Sequence, residues 1–111
     1  MERFEIYLVC LDPTVGAEMK KTRPCVIVSP DEMNRPLQTV TVVPVTSTSP
    51  RTLPSRIKIK ATATSGLKDE SYAALDQIKT IDKIRCAKRL GKVSDAEAEL
   101  IADTLCKMFE Y

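Results

Sequence analysis

Short apolar runs separated by turn-forming residues make up the first two thirds of the chain, a pattern that predicts β-strands. In the first run, residues 5–11, apolar side chains fall on both faces, so we expect a strand covered on both sides. The other predicted strands are residues 25–29, 39–46, 56–60, 71–75 and 77–81. Pro44 lies inside the third strand and has no N–H to donate, which predicts a sheet edge or a bulge there.

Helical periodicity is found at the end of the chain. Ser94 and Glu97 have the spacing of a capping box, in which each side chain accepts a hydrogen bond from a backbone N–H at the helix start. The apolar stripe that follows consists of Ala98, Ile101, Ala102, Leu105, Met108 and Phe109. Short strands closed by one amphipathic helix predict a mainly β domain with a C-terminal α-helix, built as a small, strongly bent sheet or barrel.

Two irregular segments separate these elements and carry polar residues. Residues 12–23 contain a proline, a glycine and several charges but no apolar period, and long segments of this kind are often functional. Residues 47–54 are polar and contain prolines, which is typical of a surface loop. Functional side chains are therefore expected in and beside these two segments.

The chain contains no histidine, the side chain that most often transfers protons near neutral pH. Ser-His-Asp and Cys-His catalysis are therefore excluded. Zinc sites lose their usual nitrogen ligand, and the four cysteines contain no Cys-x-x-Cys pair, so we expect neither a metal nor a cofactor. Cysteines inside apolar runs, such as Cys10 and Cys25, are typical of reduced core thiols.

Length and hydropathy point to one globular domain, residues 1–111, with 43% apolar residues. No apolar run approaches the roughly 18 residues that a membrane span needs. The first five residues lack the basic and apolar regions of a signal peptide, so we expect a cytoplasmic protein.

The formal net charge of +2 conceals an uneven distribution along the chain. Residues 1–50 carry five basic and six acidic side chains, residues 51–92 carry eleven and four, and residues 93–111 carry one and five. The middle segment is therefore at +7, which makes it a candidate surface for a polyanion. The alternative interpretation is a solvated strand face next to a basic turn.

Arg23 and Thr46 are the side chains best placed to share an anionic site. If the second and third predicted strands pair antiparallel, the start of one lies near the end of the other, and the two residues meet. An arginine fork beside a hydroxyl suits phosphate recognition, because guanidinium is planar, bidentate and always charged. The alternative for Arg23 is a solvated residue at the rim of the sheet.

A series of motifs then occurs in a characteristic order. They are Met1-Glu2-Arg3, Glu5-Ile6-Tyr7-Leu8-Val9, Leu11-Asp12-Pro13 with Gly16 and Glu18, Thr22-Arg23-Pro24, Val26-Ile27-Val28-Ser29-Pro30 with Asn34-Arg35, Val42-Val43-Pro44-Val45-Thr46-Ser47 and Asp76-Gln77-Ile78-Lys79-Thr80-Ile81-Asp82. In these motifs the chain resembles the PemK/Kid and MazF toxins of type II toxin–antitoxin systems over nearly its whole length.

The resemblance implies a dimeric SH3-like barrel, the CcdB/PemK-like toxin fold, that cleaves single-stranded RNA at short sequences without a metal. It implies that the RNA's own 2′-hydroxyl is the nucleophile and that the products carry a 2′,3′-cyclic phosphate and a 5′-hydroxyl. An acidic, partly disordered antitoxin is the implied partner. A nucleophile that arrives with the substrate explains how a protein without histidine acts as a nuclease.

Matched residue by residue, the resemblance assigns Arg23 as the catalytic loop arginine and Thr46 as the catalytic hydroxyl after the third strand. Glu18 and Asp76 are candidate bases or positioning groups, with structural ion pairing as the alternative. The candidate RNA-binding residues are Lys20, Lys21, Ser47, Thr48, Arg51, Arg56, Lys58 and Lys79.

Two positions depart from the PemK/Kid pattern. Those toxins have a histidine after the loop glycine, where this chain has Ala17, and an arginine two residues before the aspartate, where it has Ala74. An acid–base scheme that uses those two groups is therefore excluded here, and the residues present fit the MazF pair of arginine and threonine better.

Two other functions remain open from the sequence. The CcdB toxin resembles the expected fold and poisons gyrase by binding, so the fold alone does not establish a nuclease. A plain RNA-binding barrel is the third possibility, and survival of the bound RNA distinguishes it from an enzyme.

Overall fold

The computed structural model describes residues 1–11, 15–19, 21–48 and 53–111. The strands in these residues are β1 (Glu5–Cys10), β2 (Thr22–Ile27), β3 (Thr39–Thr46), β4 (Arg56–Ile59), β5 (Ser71–Ala74), β6 (Lys79–Asp82) and β7 (Cys86–Lys92). The helices are α1 (Asp31–Asn34) and α2 (Asp95–Met108), with 3₁₀ turns at Leu75–Gln77 and Lys83–Arg85. The predicted class, mainly β with a C-terminal helix, is confirmed.

Neighbouring strands are antiparallel and follow the order β4-β5-β3-β2-β1-β7, with β6 paired to the first half of β3. One edge of β3 therefore changes partner along its length, because Val42 pairs with Lys79 on β6 whereas Val45 pairs with Ala73 on β5. Pro44 lies at this change, inside a central strand, so of the two predicted alternatives, a sheet edge or a bulge, the sheet edge is wrong. Proline has no N–H to donate, so it is tolerated at a point where the hydrogen-bond ladder between two strands is interrupted.

The two ends of the sheet meet through residues 60–67, which pass against β7. The N–H of Lys92 donates to the carbonyl of Thr64 at 2.9 Å. Glycines allow this approach: a Cβ at Gly66 would lie 2.0 Å from the carbonyl oxygen of Leu90, and one at Gly91 would lie 2.1 Å from that of Thr64. The contact closes the bent sheet into a small barrel.

Each face of the sheet covers its own apolar cluster. The first is made of Ile6, Val26, Val28, Val43, Val45, Ile57, Ile59, Ala73, Leu75, Val93 and Ile101. The second is made of Val9, Leu11, Cys25, Ile27, Val40, Val42 and Ile81. Since Ile6 and Val9 of β1 belong to different clusters, that strand contributes to both faces, as its pattern predicts.

The capping box at the start of α2 is present as predicted. The N–H of Glu97 donates to Ser94 Oγ at 3.1 Å, and the N–H of Ser94 donates to Glu97 Oε1 at 2.9 Å. Glu97 Oε2 also accepts the N–H of Lys60 at 2.8 Å, which ties the helix to the end of β4. Ile101 is fully buried, whereas Met108 and Phe109 are 39% and 68% exposed, so the packed stripe is shorter than predicted.

Several element boundaries differ from the sequence-based expectation. β2 begins at Thr22, so Arg23 and Pro24 belong to a strand rather than to the preceding loop. β7 and α1 were not expected, because β7 is a basic segment without apolar alternation and α1 has four residues. Cys25 is buried as predicted, but Cys10 is exposed, so its assignment to the core is wrong.

Candidate active site

Arg23 lies near the start of β2, and Thr46 is the last residue of β3. The β2–β3 register pairs Cys25 with Pro44, and continuing it by two residues would place Arg23 opposite Thr46. The meeting of these two side chains stays a prediction, which this register supports. Arg23 is half-buried and Thr46 is 7% exposed.

The hydroxyl of Thr46 accepts the N–H of Thr48 at 3.2 Å. A hydroxyl has two acceptor positions and one O–H donor, so this bond leaves the proton of Thr46 to be donated elsewhere. The backbone contact therefore fixes the position of the Thr46 oxygen, and the Thr46 O–H is left to donate to another acceptor at the site.

A cleft of about 360 Å³, which we call the carboxylate cleft, opens beside Pro44. It is lined by Leu11, Ala17, Glu18, Met19, Pro44, Asp76, Gln77, Ile78 and Lys79. The N–H of Met19 donates to Gln77 Oε1 at 3.4 Å, which connects the loop wall to the wall formed by the 3₁₀ turn. Glu18, Asp76 and Lys79, all predicted from the sequence, are thus brought to one cleft.

The loop wall is held by contacts within the loop and at its base. The N–H of Leu11 donates to the carbonyl of Lys21 at 3.1 Å, which joins the two ends of the loop. Glu18 Oε2 accepts the N–H of Val15 at 3.4 Å. Lys21 has φ +68°, a left-handed conformation that is uncommon for residues other than glycine and that is often found near functional sites.

Asp76 is held by a two-pronged ion pair from β4. Arg56 Nε donates to Oδ1 at 2.8 Å and Arg56 Nη2 donates to Oδ2 at 3.1 Å. Ser55 Oγ adds a third hydrogen bond to Oδ1 at 3.1 Å. The hydrogen bonds from Arg56 lower the pKa of the Asp76 carboxyl, with a smaller contribution from Ser55, so this carboxylate is ionised in the cleft.

A second cleft of about 580 Å³, the basic cleft, adjoins the next residue of β3. Its lining residues are Leu8, Thr22, Arg23, Pro24, Val45, Ser47, Gly66, Leu67, Lys68, Asp69, Ser71, Lys88 and Leu90. Pro44 lines the carboxylate cleft, whereas Val45 and Arg23 line the basic cleft, so the two clefts adjoin consecutive residues of β3. A cationic arginine in one cleft and carboxylates in the other can bind a phosphodiester and act on its neighbouring hydroxyl.

Comparison with known proteins identifies the family. Residues 2–109 match the model of the PemK-like, MazF-like toxins of type II toxin–antitoxin systems. The chain belongs to this toxin family. It is 37% identical over 110 residues to the endoribonuclease MazF9 of Mycobacterium tuberculosis, covering 95% of this toxin and 92% of that protein. It is also 42% identical over 98 residues to the endoribonuclease PemK of Escherichia coli, covering 86% and 71%.

The fold agrees with this assignment. An endoribonuclease from a mycobacterial species, solved in complex with its cognate antitoxin, superposes with a TM-score of 0.78 and 26% identity, covering 96% of the toxin and 92% of that chain. The CcdB/PemK-like toxin fold expected from the motifs is therefore confirmed.

The remaining predicted RNA-binding residues of the toxin lie in different parts of the structure. Ser47 lines the basic cleft, Lys79 lines the carboxylate cleft, and Thr48 contacts Thr46. Lys21 and Lys58 line neither cleft. Lys58 Nζ forms an ion pair with Glu70 Oε1 at 2.6 Å, with both side chains more than half exposed. Lys20 and Arg51 lie outside the described residues.

Three cleft residues were missed by the sequence analysis. Lys68 and Lys88 line the basic cleft, and Gln77 lines the carboxylate cleft. Both lysines belong to the +7 segment, but charge alone does not identify which lysines share a face. Gln77 follows Asp76 in one of the motifs, but its hydrogen bond to Met19 of the loop depends on the tertiary structure.

Three further observations concern the residues of the toxin that the structure describes. Among them, no group of three or more cysteine, aspartate and glutamate side chains is arranged to hold a metal ion. Burial raises the pKa of the Cys25 thiol to about 12, so this cysteine is protonated at neutral pH. Among the described residues, no helix has the length and apolar character to cross a membrane.

Proposed function

We propose that this toxin is a metal-independent, sequence-specific endoribonuclease that cleaves single-stranded RNA. Its substrate in the cell is the mRNA in the cytoplasm. The observation that carries the proposal is the β2–β3 pairing of Cys25 with Pro44, which continues toward Arg23 and Thr46, in a chain whose relatives are named endoribonucleases. An arginine beside a hydroxyl is suited to binding a phosphodiester. Binding by these two side chains requires neither a histidine nor a metal ion.

In the proposed reaction the 2′-hydroxyl of the RNA attacks the adjacent phosphorus. The new O2′–P bond forms as the P–O5′ bond breaks, which leaves a 2′,3′-cyclic phosphate on one product and a 5′-hydroxyl, after protonation, on the other. Arg23 stabilises the non-bridging oxygens as negative charge accumulates on them, and Thr46 donates a second hydrogen bond. One preorganised donor of this kind typically contributes about 3–4 kcal/mol to transition-state stabilisation.

Glu18 and Asp76 are the carboxylates that we propose receive or orient the proton of the 2′-hydroxyl. Both line the carboxylate cleft, and the ionised Asp76 is a hydrogen-bond acceptor there. Lys79 in the same cleft supplies positive charge for a neighbouring phosphate. Lys20, Lys21, Thr48, Arg51, Arg56 and Lys58 remain proposed RNA contacts. Of these, Arg51, Arg56 and Lys58 belong to the +7 segment, and Arg56 also binds Asp76.

We further propose that an acidic antitoxin neutralises the toxin by covering the basic cleft. The cleft combines apolar walls at Leu8, Leu67 and Leu90 with a rim that carries Arg23, Lys68 and Lys88. An acidic segment with interspersed apolar side chains complements such a surface. A relative solved with its cognate antitoxin supports a partner of this kind. The toxin is proposed to act as a homodimer, which analytical ultracentrifugation measures directly.

A direct test incubates the purified toxin with a mixed-sequence RNA in the presence of EDTA and maps the ends of the products. We expect cleavage at short sequences, with cyclic phosphate and 5′-hydroxyl ends. Intact RNA, or cleavage that requires a divalent ion, refutes the proposal.

Substitutions at the strand ends test the assignment of the two residues. Arg23→Ala should lower kcat about 10²–10³-fold, because it removes a donor to the transition state. Thr46→Val should also lose activity, whereas Thr46→Ser keeps the hydroxyl and should retain most of it. Each variant should keep the fold, measured by circular dichroism and unfolding, and the Thr46 variants should still bind the antitoxin. Wild-type cleavage by Arg23→Ala or Thr46→Val removes that residue from the site.

The alternative of a CcdB-like gyrase poison is not favoured, since the relatives are named endoribonucleases. Its signature would be blocked DNA supercoiling in cells whose RNA is intact.

A further inference from the structure

The pair formed by Arg56 and Asp76 is unlike the other ion pair on the same strand. Arg56 contacts both oxygens of Asp76 through two nitrogens, and its side chain is 16% exposed. Lys58, two residues along β4, makes a single contact with Glu70, and its side chain is 59% exposed. A planar fork with two bonds fixes the orientation of a carboxylate, whereas an exposed point charge does not. Arg56 is therefore built to set the position of Asp76.

The strand register explains how Arg56 reaches this carboxylate. Arg56 on β4 pairs directly with Ala74 on β5, and Asp76 follows two residues later. Side chains of paired residues lie on the same face with Cβ atoms about 5 Å apart, so a long side chain from either strand reaches the same group.

We propose that Arg56 is a positioning residue for RNA cleavage, which holds the Asp76 carboxylate at the carboxylate cleft from β4. The inference rests on the proposed function and adds a residue to it. Arg56 acts through Asp76, and its removal takes away two of the hydrogen bonds that orient this carboxylate and leaves the one from Ser55 Oγ.

The charged groups around Asp76 determine the expected pH dependence. Arg56 reaches it from β4, while Glu18 from the loop and Lys79 from β6 share its cleft. Hydrogen bonds from Arg56 are the largest influence on the Asp76 carboxyl and lower its pKa. Without them the pKa of Asp76 rises, so the carboxylate becomes protonated at a higher pH. The acidic limb of the pH–rate profile then shifts to higher pH.

The test measures kcat and KM against pH with a short RNA for the wild type, Arg56→Ala and Arg56→Lys. Arg89→Gln is the matched control, since Arg89 forms an ion pair with Glu5 on another part of the sheet. We expect Arg56→Ala to lower kcat about 10–100-fold, as misplacement of a reacting group does, with a smaller change in KM. Arg56→Lys should recover little of kcat, and Arg89→Gln should match the wild type.

The carboxyl titration of Asp76, followed by NMR in the wild type and in Arg56→Ala, provides a readout that does not depend on RNA. If Arg56→Ala does not fold, the same comparison is made with Arg56→Lys, which keeps the charge but not the fork. An unchanged Asp76 titration, an unchanged acidic limb, or a loss confined to KM overturns the inference. A wild type that cleaves no RNA instead refutes the proposed function, and this inference with it.

Discussion

Closure of the barrel between residues 60–67 and β7 can be tested with two glycines that share a backbone conformation. Gly16 has φ +63° and Gly66 has φ +70°, so alanine at either position adopts the left-handed region, at a cost of roughly 1–2 kcal/mol. Their surroundings differ. A Cβ at Gly16 meets nothing within 4 Å, whereas a Cβ at Gly66 would lie 2.0 Å from the oxygen and 2.7 Å from the carbon of the Leu90 carbonyl.

The clash at Gly66 involves backbone, so it is relieved by moving β7 rather than by rotating a side chain. Overpacking of this kind typically costs about 1–3 kcal/mol beyond the conformational term. We therefore expect Gly16→Ala to lower the free energy of unfolding by about 1–2 kcal/mol and Gly66→Ala by about 2–5 kcal/mol. Gly66 and Leu90 also line the basic cleft, so Gly66→Ala should alter that surface as well.

Urea unfolding followed by circular dichroism measures both free energies, with the slope m as a check that the transition remains two-state. Each kcal/mol should lower Tm by roughly 4 °C or more in a domain of this size. Equal losses for the two variants would refute the reasoning, because they would mean that residues 60–67 do not lie against Leu90.

Three further predictions follow from packing and burial. Ser94→Ala should lower the free energy of unfolding by about 1 kcal/mol, whereas Ser94→Thr keeps the cap and serves as the control. Equal urea midpoints for Ser94→Ala and the wild type would contradict the capping box. Ile101→Ala should cost about 2–5 kcal/mol because it empties a fully buried position, and a loss below about 1 kcal/mol would place the helix elsewhere. With a thiol reagent at about pH 8, exposed Cys10 and Cys106 should react before Cys25, whose thiol pKa is about 12; early labelling of Cys25 would contradict its burial.

Local chemistry in the sequence was sufficient for the elements that depend on neighbouring residues. Strand alternation identified β1 and β3, and the Ser94–Glu97 spacing identified the start of α2. The same reasoning failed for β7, because its basic segment Cys86–Lys92 forms a strand by pairing with β1 and not by apolar alternation. It also placed Arg23 in a loop, since the start of β2 is decided by its partner strands.

The sequence by itself determined the family motifs, the exclusion of histidine chemistry, the +7 segment and the expectation that Arg23 meets Thr46. The tertiary structure decided which of the candidate residues share a cleft and which partners they have. Arg56 and Asp76 are twenty residues apart and meet because β4 pairs with β5, while Gly66 meets Leu90 because the sheet closes. Contacts of this kind depend on strand register and barrel closure, which a local pattern of side chains does not encode.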